Sequence, residues 1–322
     1  ISLKDFNIIL FQKGKVSLSD FIKKRVEDSF IFLKDFSENK ILYGVNTGFG
    51  PMAQHKIDDK DKIQLQYNLI RSHASGTGNP LDSIIVKSAM FARLNTLCLG
   101  NSGVHLSVVN LMVELINRNI TPLIYSHGGV GASGDLVQLA HLALVLIGEG
   151  EVFYKGELLP TKVVFEKENL IPIQIELREG LAIMNGTSVM TGIGIVNVIY
   201  TKKLLGCVID CSIAINEIVR AYDDHLSFEL NQTKKHKGQQ QIAKLMREAL
   251  FDSKLVRVRE EYLYSAKVKD AVFKEKVQEY YSLRCVPQIL GPVLDTLNNV
   301  ENILIEEVNS ANDNPIVDVK NK

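Results

Sequence analysis

The sequence predicts a mainly α-helical protein, in which a loop-rich N-terminal region precedes a bundle of long helices. Three observations carry this prediction. Apolar residues recur every three or four positions through much of the chain, strand-like segments are few and short, and neither internal repeats nor a low-complexity linker interrupts the pattern. At 322 residues, the chain is long enough to bury a large core.

Helical spacing defines the elements in order. It covers residues 83–99, 105–117, 135–147, 181–205, 211–225, 239–251 and 286–309. The segment 135–147 is apolar nearly all round, as interior helices are. The strongest pattern, 286–309, favours a bundle, and strand-like patterns are confined to 41–43, 123–125 and 150–158. We therefore divide the chain into a loop-rich region, 1–205, and the start of a central helical bundle, 206–322.

Residues 181–200 contain no charged residue and are long enough to span a bilayer. Polar and small residues, among them Asn185 and Gly192, favour a helix packed inside a protein instead, so no membrane partner is expected. The chain begins at Ile1 and stops soon after the turn-rich residues 312–315. We expect the native protein to continue beyond this sequence.

Charge and cysteine content narrow the function classes. Lys and Arg number 37 and Asp and Glu also 37, so no overall field recruits nucleic acid. The four cysteines show no paired framework, and Cys207 and Cys211 lack accompanying metal ligands. Reduced thiols and a cytoplasmic location are the prediction.

The glycine-rich segment GGVGASGDL, residues 128–136, contains the most reactive pattern in the chain. In a tight turn, the amide nitrogen of Gly134 can attack the carbonyl carbon of Ala132 and close an imidazolone ring with loss of water. Loss of the Ser133 hydroxyl as a second water leaves an exocyclic methylidene. Gly134 suits this step because it has no Cβ to hinder attack. Such a ring would be an electrophile made from the chain itself.

The same segment has two other interpretations. Residues 129–134 fit G-x-G-x-x-G between a strand-like and a helical segment, which is the outline of a dinucleotide-binding loop. Against this, Asp135 would place a carboxylate beside a bound pyrophosphate, and no repeated strand–helix–strand pattern precedes it. The third interpretation is a plain glycine-rich turn that caps a helix.

Four more segments carry polar side chains that could contact a ligand, and one of them, 185–188, lies within the predicted helix 181–205. They are YGVNTGFG at 43–50, the Ser72–His73 pair, NGTS at 185–188 and QEYYSLRC at 278–285. Arg284 beside Tyr281 suits a carboxylate, although an internal salt bridge would explain it equally well. A packed tyrosine, a structural histidine and a helix cross-link are the corresponding structural explanations for Tyr43, His73 and Asn185.

Taken together and in this order, the motifs at 43–50, 128–136, 185–187, 281–285 and 312–315 resemble those of the aromatic amino-acid ammonia-lyases. This family comprises histidine, phenylalanine and tyrosine ammonia-lyases and related aminomutases. The resemblance covers nearly the whole chain. It implies a mainly helical fold with a long central bundle of the fumarase/aspartase type, and a cytoplasmic homotetramer whose active sites are shared between subunits.

The resemblance implies that Ala132, Ser133 and Gly134 form a 4-methylidene-imidazole-5-one, so that no metal or diffusible cofactor is needed. Tyr43 resembles the base that removes the β-proton of the substrate, a role that requires neighbouring donors or positive charge. The resemblance also implies that Arg284 binds the substrate carboxylate and that Asn185 lies beside the prosthetic group. By the same resemblance, Gln278 and Tyr281 line the pocket, and Gly50 and Asn312 are supporting residues.

Substrate choice rests, by the same resemblance, on Ser72 and His73, which would face the substrate ring. A histidine there can hydrogen-bond a phenolic hydroxyl or lie beside an imidazole. Overall likeness, including residues 51–53, favours L-tyrosine with p-coumarate as product. The alternatives are histidine ammonia-lyase, which forms urocanate, and a tyrosine aminomutase. The C-terminal part that completes the pocket in family members lies beyond this sequence.

Overall fold

The computed structural model describes residues 1–38, 40–58, 60–264, 272–273 and 276–321. The chain forms two compact units. The first contains Ile1–Asn197 and Ile303–Lys322, and the second contains Val198–Asn302. These compact units are not a test of the predicted division into a loop-rich region, 1–205, and a helical bundle, 206–322, which stays a prediction.

The first unit is mainly helical. Its helices are α1 (Leu3–Phe11), α2 (Asp20–Phe36), α3 (Lys62–His73), α4 (Ser83–Cys98), α5 (Leu106–Arg118), α6 (Leu136–Leu146), α7 (Thr161–Glu168) and α8 (Glu179–Met184). A long helix, α9 (Ser188–Ile218), begins in this unit. Helices α4, α5 and α6 confirm the predictions over 83–99, 105–117 and 135–147. Helix α4 is buried on nearly every side, and its buried residues include the charged Arg93.

Two small antiparallel sheets complete this unit. Strand β1 (Thr77–Pro80) pairs with β3 (Tyr125–His127), and β2 (Thr121–Pro122) pairs with β4 (Glu151–Tyr154), which also pairs with β5 (Glu157–Pro160). The strand signal over 150–158 is therefore confirmed. The strand predicted over 123–125 is wrong at Leu123 and Ile124, because the chain there passes from β2 to β3, which begins at Tyr125 in a different sheet.

The strand predicted over 41–43 is also wrong, since these residues lead into a turn. The side chain of Asn46 explains the difference. Its Oδ1 accepts a hydrogen bond from the Leu42 amide at 2.8 Å, and its Nδ2 donates to the Lys40 carbonyl at 2.6 Å. Local side-chain bonds of this kind take backbone groups that a sheet would need.

The second unit contains the C-terminal part of α9, followed by α10 (Phe228–Gln232), α11 (Lys237–Ala249), α12 (Tyr281–Arg284) and the beginning of α13 (Val286–Val308). Its core draws on α9, α11 and α13, with buried side chains at Leu205, Ile209, Ile242, Met246 and Val286. The backbones of α11 and α13 are in close contact, because a Cβ on Gly291 would lie 2.4 Å from the Gln239 amide nitrogen.

Two predicted helix boundaries differ from those observed. The helix predicted over 181–205 is broken at residues 185–187, between α8 and α9. Helix α9 then continues to Ile218, so the helix predicted over 211–225 ends early, and Arg220 adopts a left-handed φ of 53°. Helices α11 and α13 confirm the predictions over 239–251 and 286–309. Among the described residues, no helix combines the length and apolar character needed to cross a membrane.

Candidate active site

The tripeptide Ala132-Ser133-Gly134 lies in the loop between β3 and α6. The chain folds tightly back on itself here, since the backbone of Gly134 pairs with those of Gly131 and Ala132. Gly134 has a φ of 73°, and a Cβ at this position would lie 2.2 Å from the carbonyl oxygen of Gly186. Only glycine fits both constraints. The residues present therefore fit the tight turn that ring closure requires.

The break between α8 and α9 contacts this tripeptide directly. The amide of Asp135 donates to the carbonyl oxygen of Gly186 at 2.8 Å. The side chain of Asn185, which is buried, donates from Nδ2 to Oγ of Ser133 at 3.2 Å. The structure thus places Asn185 beside the serine whose hydroxyl would leave.

Asp135 connects the tripeptide to the N-terminus of α9. Its Oδ2 accepts hydrogen bonds from the amides of Val189 at 2.8 Å and Met190 at 3.0 Å, which lie in the first turn of that helix. Burial raises the pKa of the Asp135 carboxyl, and these two hydrogen bonds oppose the shift. Helices α6 and α9 therefore both begin near the tripeptide. Their N-terminal dipoles favour negative charge there.

Asn312 contacts the same break from the C-terminal end of the chain. Its Nδ2 donates to Oγ1 of Thr187 at 2.8 Å, and its Oδ1 accepts from Nη1 of Arg93 at 3.2 Å. Arg93 lies on α4 and forms a fully buried ion pair with Asp313 at 3.0 Å. Sequence reasoning missed Arg93, although an arginine inside the apolar segment 83–99 is a signal for a buried polar contact.

Tyr43 lies in the turn that precedes Gly50. Its hydroxyl oxygen accepts a hydrogen bond from the Gly50 amide at 3.4 Å, and its ring packs edge-on against Phe49. The hydrogen bond from the Gly50 amide thus joins Tyr43 to the residue predicted to support it.

The loop that carries Tyr43 is held against α8 by Gln66. This buried side chain donates to the carbonyl oxygen of Gly44 at 3.0 Å and accepts from the amide of Leu181 at 3.0 Å. A Cβ on Gly44 would lie 2.3 Å from Cδ2 of Leu181. Since α8 leads into Asn185, the 43–50 loop and the tripeptide are both attached to the ends of one short helix. Sequence reasoning did not single out Gln66.

Ser72 and His73 form the C-terminal end of α3. Nδ1 of His73 lies 2.9 Å from the carbonyl oxygen of Leu69 and 3.1 Å from Oγ of Ser72. A ring nitrogen facing a carbonyl carries the proton, so the neutral His73 ring keeps Nε2 as an acceptor. Such a nitrogen can receive a hydrogen bond from a phenol or from an imidazole N–H.

Gln278, Tyr281 and Arg284 lie in the second unit. Arg284 places its guanidinium carbon 4.4 Å from the centre of the Tyr281 ring, a cation–π distance. Tyr281 is 73% exposed, and Gln278 is exposed as well. The structure therefore brings Tyr281 and Arg284 together within α12.

His141, on α6, fixes the loop that follows His73. Its Nε2 accepts a hydrogen bond from the Gly76 amide at 3.2 Å, and its ring packs edge-on against Tyr125. Burial lowers the pKa of His141 below its ordinary value of 6.5.

This pKa shift predicts a pH dependence of stability. The folded state binds the His141 proton less tightly than the unfolded state, so stability falls as the pH drops through and below 6.5. A His141→Gln variant, which keeps an acceptor but does not titrate, should lose less Tm between pH 7 and pH 5. The expected difference from the parent is roughly 2–4 °C. Equal losses in parallel thermal scans would contradict the role given to His141.

The chain is similar to known proteins over its whole length. The sequence matches the family described as aromatic amino acid lyase over residues 1–322. It is 38% identical over 317 residues to a probable histidine ammonia-lyase of Thermoplasma acidophilum, covering 98% of this chain and 61% of that protein. It is 37% identical over 324 residues to histidine ammonia-lyase of Bacillus cytotoxicus, covering 98% and 60%. The fold superposes on phenylalanine aminomutase of Pantoea agglomerans with a TM-score of 0.92 and 31% identity, covering 100% of this chain and 63% of that one.

The chain belongs to the aromatic amino acid lyase family, and it spans about three fifths of the length of the curated relatives that it matches. The predicted resemblance and the mainly helical fold are both confirmed.

Proposed function

We propose that the protein eliminates ammonia from L-histidine to give urocanate, with an electrophile built from Ala132, Ser133 and Gly134. The observation that carries the proposal is the tight turn at these residues, held against Asn185 and Gly186. The substrate is chosen on the two relatives named as histidine ammonia-lyases. The tyrosine specificity predicted from overall likeness finds no support in those relatives.

Formation of the electrophile needs only the chain's own atoms. A bond forms between the amide nitrogen of Gly134 and the carbonyl carbon of Ala132. The Ala132 oxygen leaves as water with the amide protons of Gly134 and Ser133, and a C=N bond remains. The Cα proton and the hydroxyl of Ser133 leave as a second water. The product is the methylidene-imidazolone, which supplies an electrophilic carbon for the substrate amine.

The surrounding residues prepare this chemistry. Asn185 holds the Ser133 hydroxyl, and the N-termini of α6 and α9 favour negative charge at the tripeptide. Tyr43 is proposed as the base that takes the β-proton, with the Gly50 amide as a donor to its oxygen. In the proposed pocket, Arg284 pairs with the substrate carboxylate. Gln278 and Tyr281 line it, and Asn312 supports the loop at 185–187.

His73 is proposed to recognise the substrate ring through Nε2. Replacement by phenylalanine removes this acceptor, so kcat/KM for histidine should fall by roughly 10–100-fold. The relative preference for phenylalanine should rise at the same time, since an apolar ring no longer faces an unpaired nitrogen. Competition assays with histidine, tyrosine and phenylalanine measure both effects. An unchanged substrate ranking would remove His73 from the account of specificity.

The test of the proposed function is an ultraviolet assay of the complete polypeptide with histidine, tyrosine and phenylalanine in parallel. Urocanate as the main product supports the proposal. p-Coumarate as the main product would instead identify tyrosine as the substrate. The absence of urocanate, p-coumarate and cinnamate would contradict the ammonia-lyase assignment.

An aminomutase is the second candidate, because the fold superposes on such an enzyme with a TM-score of 0.92. An aminomutase returns the amine to the β-carbon, so it forms a β-amino acid from the same substrate. Chromatography of the assay mixture separates this product from the α-amino acid. A β-amino acid as the main product would favour this candidate.

A cytoplasmic homotetramer with shared active sites is also proposed. Large apolar side chains on α9 and α13 are exposed in this chain, including Leu204, Ile218 and Ile289, as expected of surfaces covered in an assembly. The four cysteines are free, which suits a reducing compartment. Light scattering of the complete polypeptide would measure the assembly, and a monomeric mass would contradict it.

A further inference from the structure

Arg93 is a charged side chain in the middle of the buried helix α4, with no exposed surface. Its Nη2 donates to the carbonyl oxygens of Ala182 and of Asn185, the latter at 2.9 Å. These carbonyls belong to the end of α8, where the helix supplies no partners of its own. Asp313 neutralises the guanidinium at 3.0 Å. A buried guanidinium needs such partners, and here it uses them to hold the end of α8.

The Arg93 guanidinium also lies against Gly186, the residue that follows Asn185. A Cβ on Gly186 would lie 2.4 Å from Nη1 of Arg93 and 2.8 Å from Oδ1 of Asn312. Nη1 donates to this same oxygen at 3.2 Å. The Arg93 side chain therefore leaves no room for a side chain at residue 186 and restricts where the backbone of Gly186 can lie.

On its other side, this loop contacts the reactive tripeptide. The Gly186 carbonyl accepts from the Asp135 amide at 2.8 Å and occupies the space beside Gly134, and Asn185 donates to the Ser133 hydroxyl at 3.2 Å. Arg93 is thus connected to Ser133 through Asn185, whose carbonyl it holds, and to Gly134 through Gly186, against which it lies.

We propose that Arg93 is a positioning residue for ring closure. Its guanidinium holds Asn185 and Gly186 so that the Gly134 nitrogen meets the Ala132 carbonyl carbon and the Ser133 hydroxyl can leave. The N–C bond forms with loss of the Ala132 oxygen and two amide protons as water, and the Ser133 hydroxyl leaves with the Cα proton as the second water. This inference rests on the proposed function, because it assumes that the tripeptide cyclises.

Arg178 provides a matched control. It is also fully buried and belongs to the same first unit, but its Nη1 donates to the carbonyl oxygen of Pro315 at 2.7 Å. Replacement of either arginine by lysine keeps the positive charge and removes the planar fork of donors. General destabilisation should therefore be similar in the two variants, whereas only Arg93→Lys disturbs the loop at 185–187.

The experiment follows the intact mass of the complete polypeptide over time after cell-free synthesis, in the folded fraction. The parent and Arg178→Lys should lose two waters at similar rates. Arg93→Lys should lose them about 10²-fold more slowly, because small displacements of reacting groups have effects of this size. If Arg93→Lys does not fold, Gly186→Ala replaces it. Its methyl group displaces the guanidinium from the loop without removing Arg93, and the same delay is expected.

Equal rates in Arg93→Lys and the parent would overturn this inference and leave the proposed function intact. An equal delay in Arg178→Lys would also overturn it, since the effect would then be general destabilisation. A parent protein that loses no water would overturn the proposed function together with this inference.

Discussion

Ser133→Ala is expected to lower turnover by about 10⁴-fold or more while the fold is retained, because the variant has no hydroxyl to lose from Cβ. Without the second water loss, no methylidene carbon forms and the substrate amine has no electrophile to meet. The Ser133 side chain contacts Asn185 at 3.2 Å, so the substitution removes one hydrogen bond from the loop. Structural damage should therefore be small. Intact mass should show the loss of one water at most.

Ser126→Ala is a suitable control for this variant. Ser126 lies in β3, just ahead of the glycine-rich loop, and its hydroxyl contacts Nδ1 of its neighbour His127. The control should keep both the two-water mass loss and turnover. Turnover of Ser133→Ala near the level of the parent would show that catalysis does not depend on a group made from Ser133.

Tyr43→Phe is expected to have the second largest effect, with kcat falling by about 10²–10⁴-fold as general base catalysis is lost. The two-water mass loss should be complete, since Tyr43 takes no part in the ring-closure chemistry. Among the described residues, the hydroxyl receives one long hydrogen bond, from the Gly50 amide, so its removal should change stability little. The separation of maturation from turnover distinguishes a catalytic role from a structural one.

Tyr67→Phe serves as the matched control for Tyr43→Phe. The Tyr67 hydroxyl also accepts a backbone hydrogen bond, from the Ile175 amide at 3.1 Å, but it belongs to the body of α3. Its removal should leave kcat within about threefold of the parent, because most substitutions away from a site act on stability alone. Full activity in Tyr43→Phe, measured beside this control, would refute Tyr43 as the base.

Much of the fold could be predicted from the sequence because its signals are local. Helices α4, α5 and α6 follow from apolar spacing, and the tight turn at 132–134 follows from Gly131 and Gly134 on either side of Ala132 and Ser133. The break at 185–187 could not be predicted, since residues 181–200 are uncharged and read as one helix. The carbonyl of Asn185 is taken by Arg93, 92 positions earlier in the chain, and a local pattern carries no information on such a contact.

The same distinction applies to the candidate site. The residues themselves were predicted from ordered motifs, and their partners were not. Asp135 was assigned to the start of α6, yet its carboxylate also caps α9, 54 positions further along the chain. The importance of Gln66 and Arg93 comes from the backbone groups that they hold in other elements, and these partners cannot be identified from the local sequence.

The most direct test of the central claim is the mass of the proteolytic peptide that contains residues 132–134, taken from the complete polypeptide and located by fragmentation. We expect a peptide lighter than its encoded sequence by two waters, with the loss confined to Ala132, Ser133 and Gly134. A peptide of unmodified mass from folded protein would contradict the claim that this chain builds its electrophile from its own backbone.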